Sequence, residues 1–257
     1  MGKTAKRLTI LLPPSKGKTG DDTAHGASFQ DTLNDGHPLA TYRRKVAQAL
    51  CDNHRQLEPA AQLRLYGVGE NKRAAVAQLT DRLLDAPTKP ARERYHGVVY
   101  TNAGLETREN DHKNVDVLIV SALLGIVDLD TPVPNYRIEF GARIPPVGVL
   151  SRYWGEAAAP YLNERLSGQT VLNLLPKEHR GILTGVDTAA RLIDVSFLNL
   201  SGGRANTARI KVAKGQLTQA LRQMGPVSLD ALAKANPLAP VWTLTASNDA
   251  LTAVCQV

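Results

Sequence analysis

Cysteine, methionine, tryptophan and phenylalanine are all scarce in this 257-residue chain, with 2, 2, 2 and 3 copies. Cys51 and Cys255 lie far apart, without a CxxC and without a histidine pair at ligand spacing. A disulfide framework and a structural zinc site are therefore excluded as the organising device, and no metal or cofactor is implied. Long apolar runs are missing too: no window approaches the roughly 18 uninterrupted apolar residues of a membrane span. The opening MGKTAKRLTILL holds only a five-residue apolar run, too short for the core of a secretory signal, so a cytoplasmic protein is expected. Repeats and low-complexity linkers are absent as well. Acidic residues are the minority charge, 24 against 31 Lys and Arg, which leaves a formal +7. That excess suits a polyanionic partner such as nucleic acid or a nucleotide, but many soluble enzymes share it.

What is present supports a folded core, since 43% of residues are hydrophobic and 21% charged,. LTILL (8–12) reads as a strand that stops at Pro13-Pro14. Residues 15–39 read as a long loop, mobile or ordered by a ligand. From 39 to 84 the period turns helical, with Tyr42, Val46 and Leu50 on one face and two further helices broken at Gly67-Val68-Gly69. Gly97–Tyr100, 117–120, 170–175, 191–200 and a last stretch around VWTLTA (241–246) read as strands; the path beyond Ser121 is open. RYWGEAAAPYLNERL and NTARIKVAKGQLTQALRQM read as helices. Strands alternating with helices predict one mixed-sheet α/β domain over 1–257, with a helical insertion at about 40–85.

Polar clusters directly follow the apolar strands: Ser15-Lys16-Gly17-Lys18, Thr101-Asn102, Ser121, Lys177-Glu178-His179-Arg180, and Lys211 with Lys214. In open α/β sheets ligands sit at the carboxyl edge, so parallel neighbouring strands would gather these groups in one cationic cleft for phosphate or carboxylate. In SKGK two ammonium groups flank a glycine whose backbone lets an anion approach, though the spacing is not that of a Walker A loop. Glu178 beside His179 offers a general acid–base pair. Arg137 either clamps an anion bidentately or pairs with Glu139 or Asp128. Ser121 lacks the glycines of a nucleophile elbow, which argues against a Ser-His-Asp hydrolase. LRLYGVGENKRAAVAQL has the pattern of a helix-hairpin-helix, in which Gly67 and Gly69 admit a DNA phosphate and Lys72 and Arg73 add contacts. The same pattern also suits a plain helical hairpin.

Taken in order, LTILLPPSKGK, YHGVVY, VSALLGIVDLDTPVPNYRIEFGARI, YWG, VLNL and KVAKG resemble the YaaA family, the peroxide stress proteins also called UPF0246 or DUF328. The resemblance runs from Leu8 to the terminal WTL. It implies an α/β fold peculiar to that family, a positively charged cleft, binding of duplex or branched DNA, and protection against hydrogen peroxide. Carried over by motif, the cleft positions are Ser15, Lys16, Lys18, Tyr136, Arg137, Arg143, Trp154, Asn173, Lys211 and Lys214, with Gly67, Gly69, Lys72 and Arg73 on the hairpin. Two departures mark a divergent member: Leu175-Pro176-Lys177-Glu178-His179 replaces a hydroxyl-bearing run, and VSALLG lacks the family's aromatic. They point to a dedicated task, such as one biosynthetic step on a small anionic purine or nucleotide (glycosidic cleavage, lyase or ligase chemistry). There Glu178, His179 and Lys211 would act as catalytic groups. DNA binding and enzymatic turnover are thus the two functional expectations.

Overall fold

The computed structural model describes residues 7–20, 27–109, 111–187, 190–247 and 249–256. Seven strands form the main sheet: β1 Leu8–Leu12, β2 Val115–Ser121, β3 Gly125–Asp128, β4 Thr170–Asn173, β5 Arg191–Leu198, β6 Trp242–Ser247 and β7 Ala250–Cys255. Their spatial order is β6-β7-β5-β4-β1-β2-β3. The five inner strands run parallel, and β3 and β6 pair antiparallel at the edges. All five residues of β1 are buried, as a largely apolar run at the centre of a parallel sheet should be, and the one polar member, Thr9, donates to Gln169 at 2.6 Å.

Beyond Ser121 the chain turns tightly into β3, with Ser121 opposite Gly125. The strands expected over 170–175 and 191–200 are present but end two residues early. The tail holds two strands rather than one, because WTLTAS pairs with ALTAVC as a hairpin whose second strand joins the parallel core.

Among the described residues the α-helices of six or more residues are α1 Ala40–Asn53, α2 Pro59–Tyr66, α3 Glu70–Asp81, α4 Val98–Ala103, α5 Leu150–Leu166, α6 Thr207–Met224 and α7 Leu229–Ala235, and Lys177–Leu183 forms a 3-10 helix. On α1, Val46 and Leu50 are buried as their spacing predicts, but Tyr42 is exposed. The expected loop over 15–39 contains a two-residue strand (Gly17–Lys18) and a short helix (Phe29–Thr32); residues 21–26 of it lie outside the described residues.

One element differs in kind. The segment expected as a strand over 97–100 is the start of α4, capped by Gly97 at φ +137. Val98-Val99 favour a strand by local propensity, but tertiary packing decides otherwise. A Cβ on Gly215 of α6 would lie 2.5 Å from the Val99 carbonyl oxygen and 2.5 Å from Asn102 Cβ. Glycine in mid-helix costs about 1 kcal/mol against alanine; here it allows two helix backbones to touch. Lys211 sits one turn before that contact and Lys214 immediately before it, at i, i+3 spacing on one face of α6,.

Candidate functional site

At the carboxyl ends of β1 and β4 lies a cavity of about 500 Å³. The chain runs from β1 to β2 on one side and places β4 on the other, so this is the switch point where open α/β sheets leave a crevice. The wall comes from separate segments: Pro13–Lys18 after β1, His96–Tyr100, Tyr136–Phe140, the turn after β4, and the amino-terminal part of α6. Its inner surface is largely apolar and aromatic. Six Lys and Arg side chains face it against two carboxylates, Glu139 and Glu178. Asn206 caps α6 by accepting from Ala208 and Arg209 N–H, and Thr207 and Ile210 of its first turn line the cavity, so the positive end of that helix lies at the wall.

Of the sequence-predicted residues, Ser15, Lys16, Lys18, Tyr136, Arg137, Glu178, His179, Lys211 and Lys214 all line this cavity. Ser15 Oγ donates to the His96 carbonyl and accepts from Gly17 N–H at 3.2 Å. Because the Gly17 amide is already engaged, the SKGK segment is a pinned turn rather than an amide cradle. Lys16 Nζ pairs with Glu139 at 2.5 Å. Arg137 makes neither of the expected ion pairs. Its guanidinium donates to the Tyr66, Lys16 and Gly67 carbonyls at 3.0, 2.9 and 3.0 Å, so it ties three segments together and lends the wall a fixed charge. Tyr136 is buried, its hydroxyl bonded to those of Tyr95 and Ser121 at 2.9 Å each.

Two lysines are chemically distinct. Lys18 Nζ lies 4.0 Å from the Tyr136 ring centroid and 5.3 Å from that of Tyr95. Burial, then the nearby charges of Arg137 and Arg94, lower its pKa to about 7 against the opposing pull of Glu139. Lys214 Nζ donates to the Leu174 carbonyl at 2.5 Å, and burial followed by Arg204 lowers it to about 8. His179 stacks on Phe140 at 5.4 Å. Burial pushes its pKa below the ordinary range despite Glu178 and Glu139, so the ring is neutral at physiological pH. Its Nδ1 has no hydrogen-bond partner among the described residues.

Three expected cleft residues are elsewhere. Trp154 is fully buried and donates to the Ala122 carbonyl at 2.9 Å; an indole that large fills core. Asn173 is buried behind the wall, where it donates to Asp194 at 2.7 Å and accepts from Leu175 N–H at 3.1 Å, shaping the chain as it leaves β4. Arg143 is exposed and outside the cavity wall. Thr101-Asn102 and Lys177 also miss the wall.

The hairpin glycines have an internal role. Gly67 ends α2 in the left-handed region at φ +61, and a Cβ there would overlap the Glu139 carboxylate. Leu65, Tyr66 and Gly67 carbonyls all accept from the 137–139 segment. Gly69 caps α3, Lys72 is exposed, and Arg73 is held by Glu70 at 2.7 Å and Gln62 at 2.8 Å. The turn is thus docked on the cavity wall by its glycine side. Gly67→Ala is expected to destabilise the protein by about 1 kcal/mol or more through backbone strain. It should also drive Glu139 off Lys16, read as a lower melting temperature together with altered anion affinity. An unchanged affinity would mean the turn and the cavity are uncoupled.

Sequence reasoning missed His96, Glu139, Phe140 and Arg204, all on the wall. The first three lie within YHGVVY and NYRIEFG, but nothing in their type marked them over their neighbours. Arg204 follows the turn after β5 and left no signal. Among the described residues no cluster of three His, Cys, Asp or Glu side chains is spaced to hold a metal ion, and no helix is long and apolar enough to cross a membrane.

Fold and site together define an α/β protein with a cationic cavity at the switch point of a parallel-centred sheet. The chain belongs to the YaaA peroxide stress protein family, whose model, described as "Peroxide stress protein YaaA", matches residues 8–238. A UPF0246 protein of Corynebacterium glutamicum is 32% identical over 160 residues, 60% of this chain and 62% of that protein. One from Leptothrix cholodnii is 31% identical over 152 residues, 53% of this chain and 59% of that protein. One from Methylibium petroleiphilum is 34% identical over 140 residues, 51% and 54% respectively. The chain therefore spans less than two thirds of the length of these curated relatives.

Proposed function

We propose that the cavity binds a nucleotide-type anion, with phosphate against the cationic mouth and the base against the apolar, aromatic inner wall, and that this binding underlies a role in peroxide stress. The carrying observation is the convergence of Lys16, Lys18, Arg137, Arg204, Lys211 and Lys214 from separate segments onto one cavity with an apolar interior. A pocket that combines apolar lining with a few charged groups is suited to a small amphiphilic ligand. A nucleotide at a DNA end or unpaired site carries the same chemistry. Duplex binding through Lys72 and the hairpin has less support, because Gly67 faces Glu139 rather than solvent.

An enzymatic role for the same cavity is favoured by His179 and Glu178, an unprotonated ring and a carboxylate on one wall. This pair would move a proton to or from the bound ligand.

The test is a calorimetric and thermal-shift titration with AMP, ADP, adenosine and a fluorescent duplex. ADP and AMP are expected to bind and adenosine not. Affinity should fall as pH rises from about 6 to 9, because the Lys18 and Lys214 ammonium groups, titrating at about 7 and about 8, become neutral amines over that window. Equal affinity for adenosine and ADP defeats the anion reading. Tight duplex binding that drops steeply between about 50 and 200 mM salt and is lost in Lys72→Ala favours the DNA reading instead.

A further inference from the structure

Lys18 differs from the other cations of the cavity in what surrounds its nitrogen. Lys16 is neutralised by Glu139, Arg137 is spread over three carbonyls, and Lys214 is held tightly by Leu174. Lys18 Nζ has one hydrogen bond, a 3.2 Å donation to the Ser15 carbonyl, and otherwise meets the ring faces of Tyr136 and Tyr95. No carboxylate lies within ion-pair distance of it among the described residues. The charged groups acting on it are Arg137 and Arg94, whose guanidiniums are anchored on backbone carbonyls, and Glu139, which is engaged by Lys16.

We propose that Lys18 is a reactive amine that forms an imine with a small aldehyde or ketone bearing a phosphate or carboxylate, held in this cavity. The proposal rests on the anion reading above and adds a second ligand class to it, since a nucleotide such as ADP has no free aldehyde or ketone. The amine lone pair attacks the carbonyl carbon, a C–N bond forms and the C=O π pair moves to oxygen. Both amine protons end on that oxygen, which leaves as water, and the nitrogen closes the C=N bond. Nothing is oxidised or reduced. An amine does this only while unprotonated, and a dry pocket beside fixed positive charge is how a lysine is kept so. With its pKa at about 7, about half of Lys18 is free amine at neutral pH, whereas an ordinary lysine is almost wholly protonated. Neutral His179 on the same wall offers a base for the proton transfers.

The full chain is incubated with glyceraldehyde 3-phosphate and cyanoborohydride, which reduces any imine to a stable secondary amine, and adducts are mapped by peptide mass spectrometry. A Lys18 adduct is expected at least about tenfold faster than one at exposed Lys72. Its rate should rise up to about pH 7.5 and then level, and ADP should slow it. Lys18→Arg should lose the adduct while its melting temperature stays near that of the parent. Adducts spread over surface lysines with Lys18 unmodified overturn the proposal, and if ADP still binds in that experiment the anion reading survives alone. Unphosphorylated glyceraldehyde labelling Lys18 as fast as the phosphate ester overturns the anionic-substrate assignment and the anion reading with it.

Discussion

An Arg204→Ala, Lys211→Ala double variant is expected to bind ADP about 100-fold or more weakly than the parent, with its melting temperature little changed. Both side chains are exposed on the cavity wall. Among the described residues neither has a carboxylate partner, so their removal strands no buried charge. A hydrogen bond to a charged group contributes about 1.5–3 kcal/mol. Two at the low end give about 3 kcal/mol, and every 1.4 kcal/mol is a factor of ten in affinity. The low end is appropriate because solvent screens both groups. Lys72→Ala, on the hairpin, should leave ADP affinity unchanged. A loss smaller than about threefold in the double variant would mean that phosphate does not sit at this mouth.

Arg222→Met should lower the melting temperature by about 6–20 °C. The guanidinium is fully buried and donates to the Ala103, Gly104 and Thr107 carbonyls at 2.7, 2.7 and 2.8 Å, and to Asp111 Oδ1 at 2.6 Å. Arg92 holds the other Asp111 oxygen at 2.9 Å. The Ala103 and Gly104 carbonyls belong to the end of α4, where no further helical turn can satisfy them. Asp111 is partly exposed, so most of the loss comes from the carbonyls left without a donor at about 1–3 kcal/mol each, together about 3–5 kcal/mol, and a chain of this size loses about 2–4 °C per kcal/mol. Since Val98–Tyr100 of α4 line the cavity, ADP affinity should fall as well. The pH dependence has a definite sign. Burial works against the Asp111 carboxylate, but Arg222 and Arg92 hold its pKa below the ordinary value. The contribution is therefore complete above the usual carboxylate range and fades as pH falls through the lowered pKa. Thermal melts of parent and variant should accordingly converge in acid and diverge toward neutrality; a gap independent of pH would show that the Asp111 pairing contributes nothing.

Much of the fold was legible because it rests on local pattern. VLIV is apolar throughout and LTILL is apolar apart from Thr9, whose hydroxyl is satisfied by Gln169, and only a strand covered on both faces buries every residue of such a run. KVAKGQLTQALRQM repeats its apolar residues at helical spacing. The strand expected at 97–100 failed because propensity is a weak prior: Val98 and Val99 fit a pleated surface, but the contact with Gly215 is set by a residue more than a hundred positions away. Wall residues were recovered where a polar cluster directly followed a strand, as with Lys16, Lys18, Glu178 and His179. Trp154 and Asn173 were misplaced because a motif reports that a residue matters without reporting which way its side chain points.

By itself the sequence determined the class of fold, the basic character and the polar clusters at strand ends, since each depends on composition or on period-2 and period-3.6 repeats within short windows. Only the tertiary structure decided which cations remain available to a ligand. Arg137, Lys16 and Lys18 are equally charged as letters, but carbonyls, a carboxylate and two aromatic rings from distant segments engage the first, neutralise the second and desolvate the third. Charge is a property of a residue type, whereas its free energy depends on the dielectric and the partners that folding brings within a few ångströms.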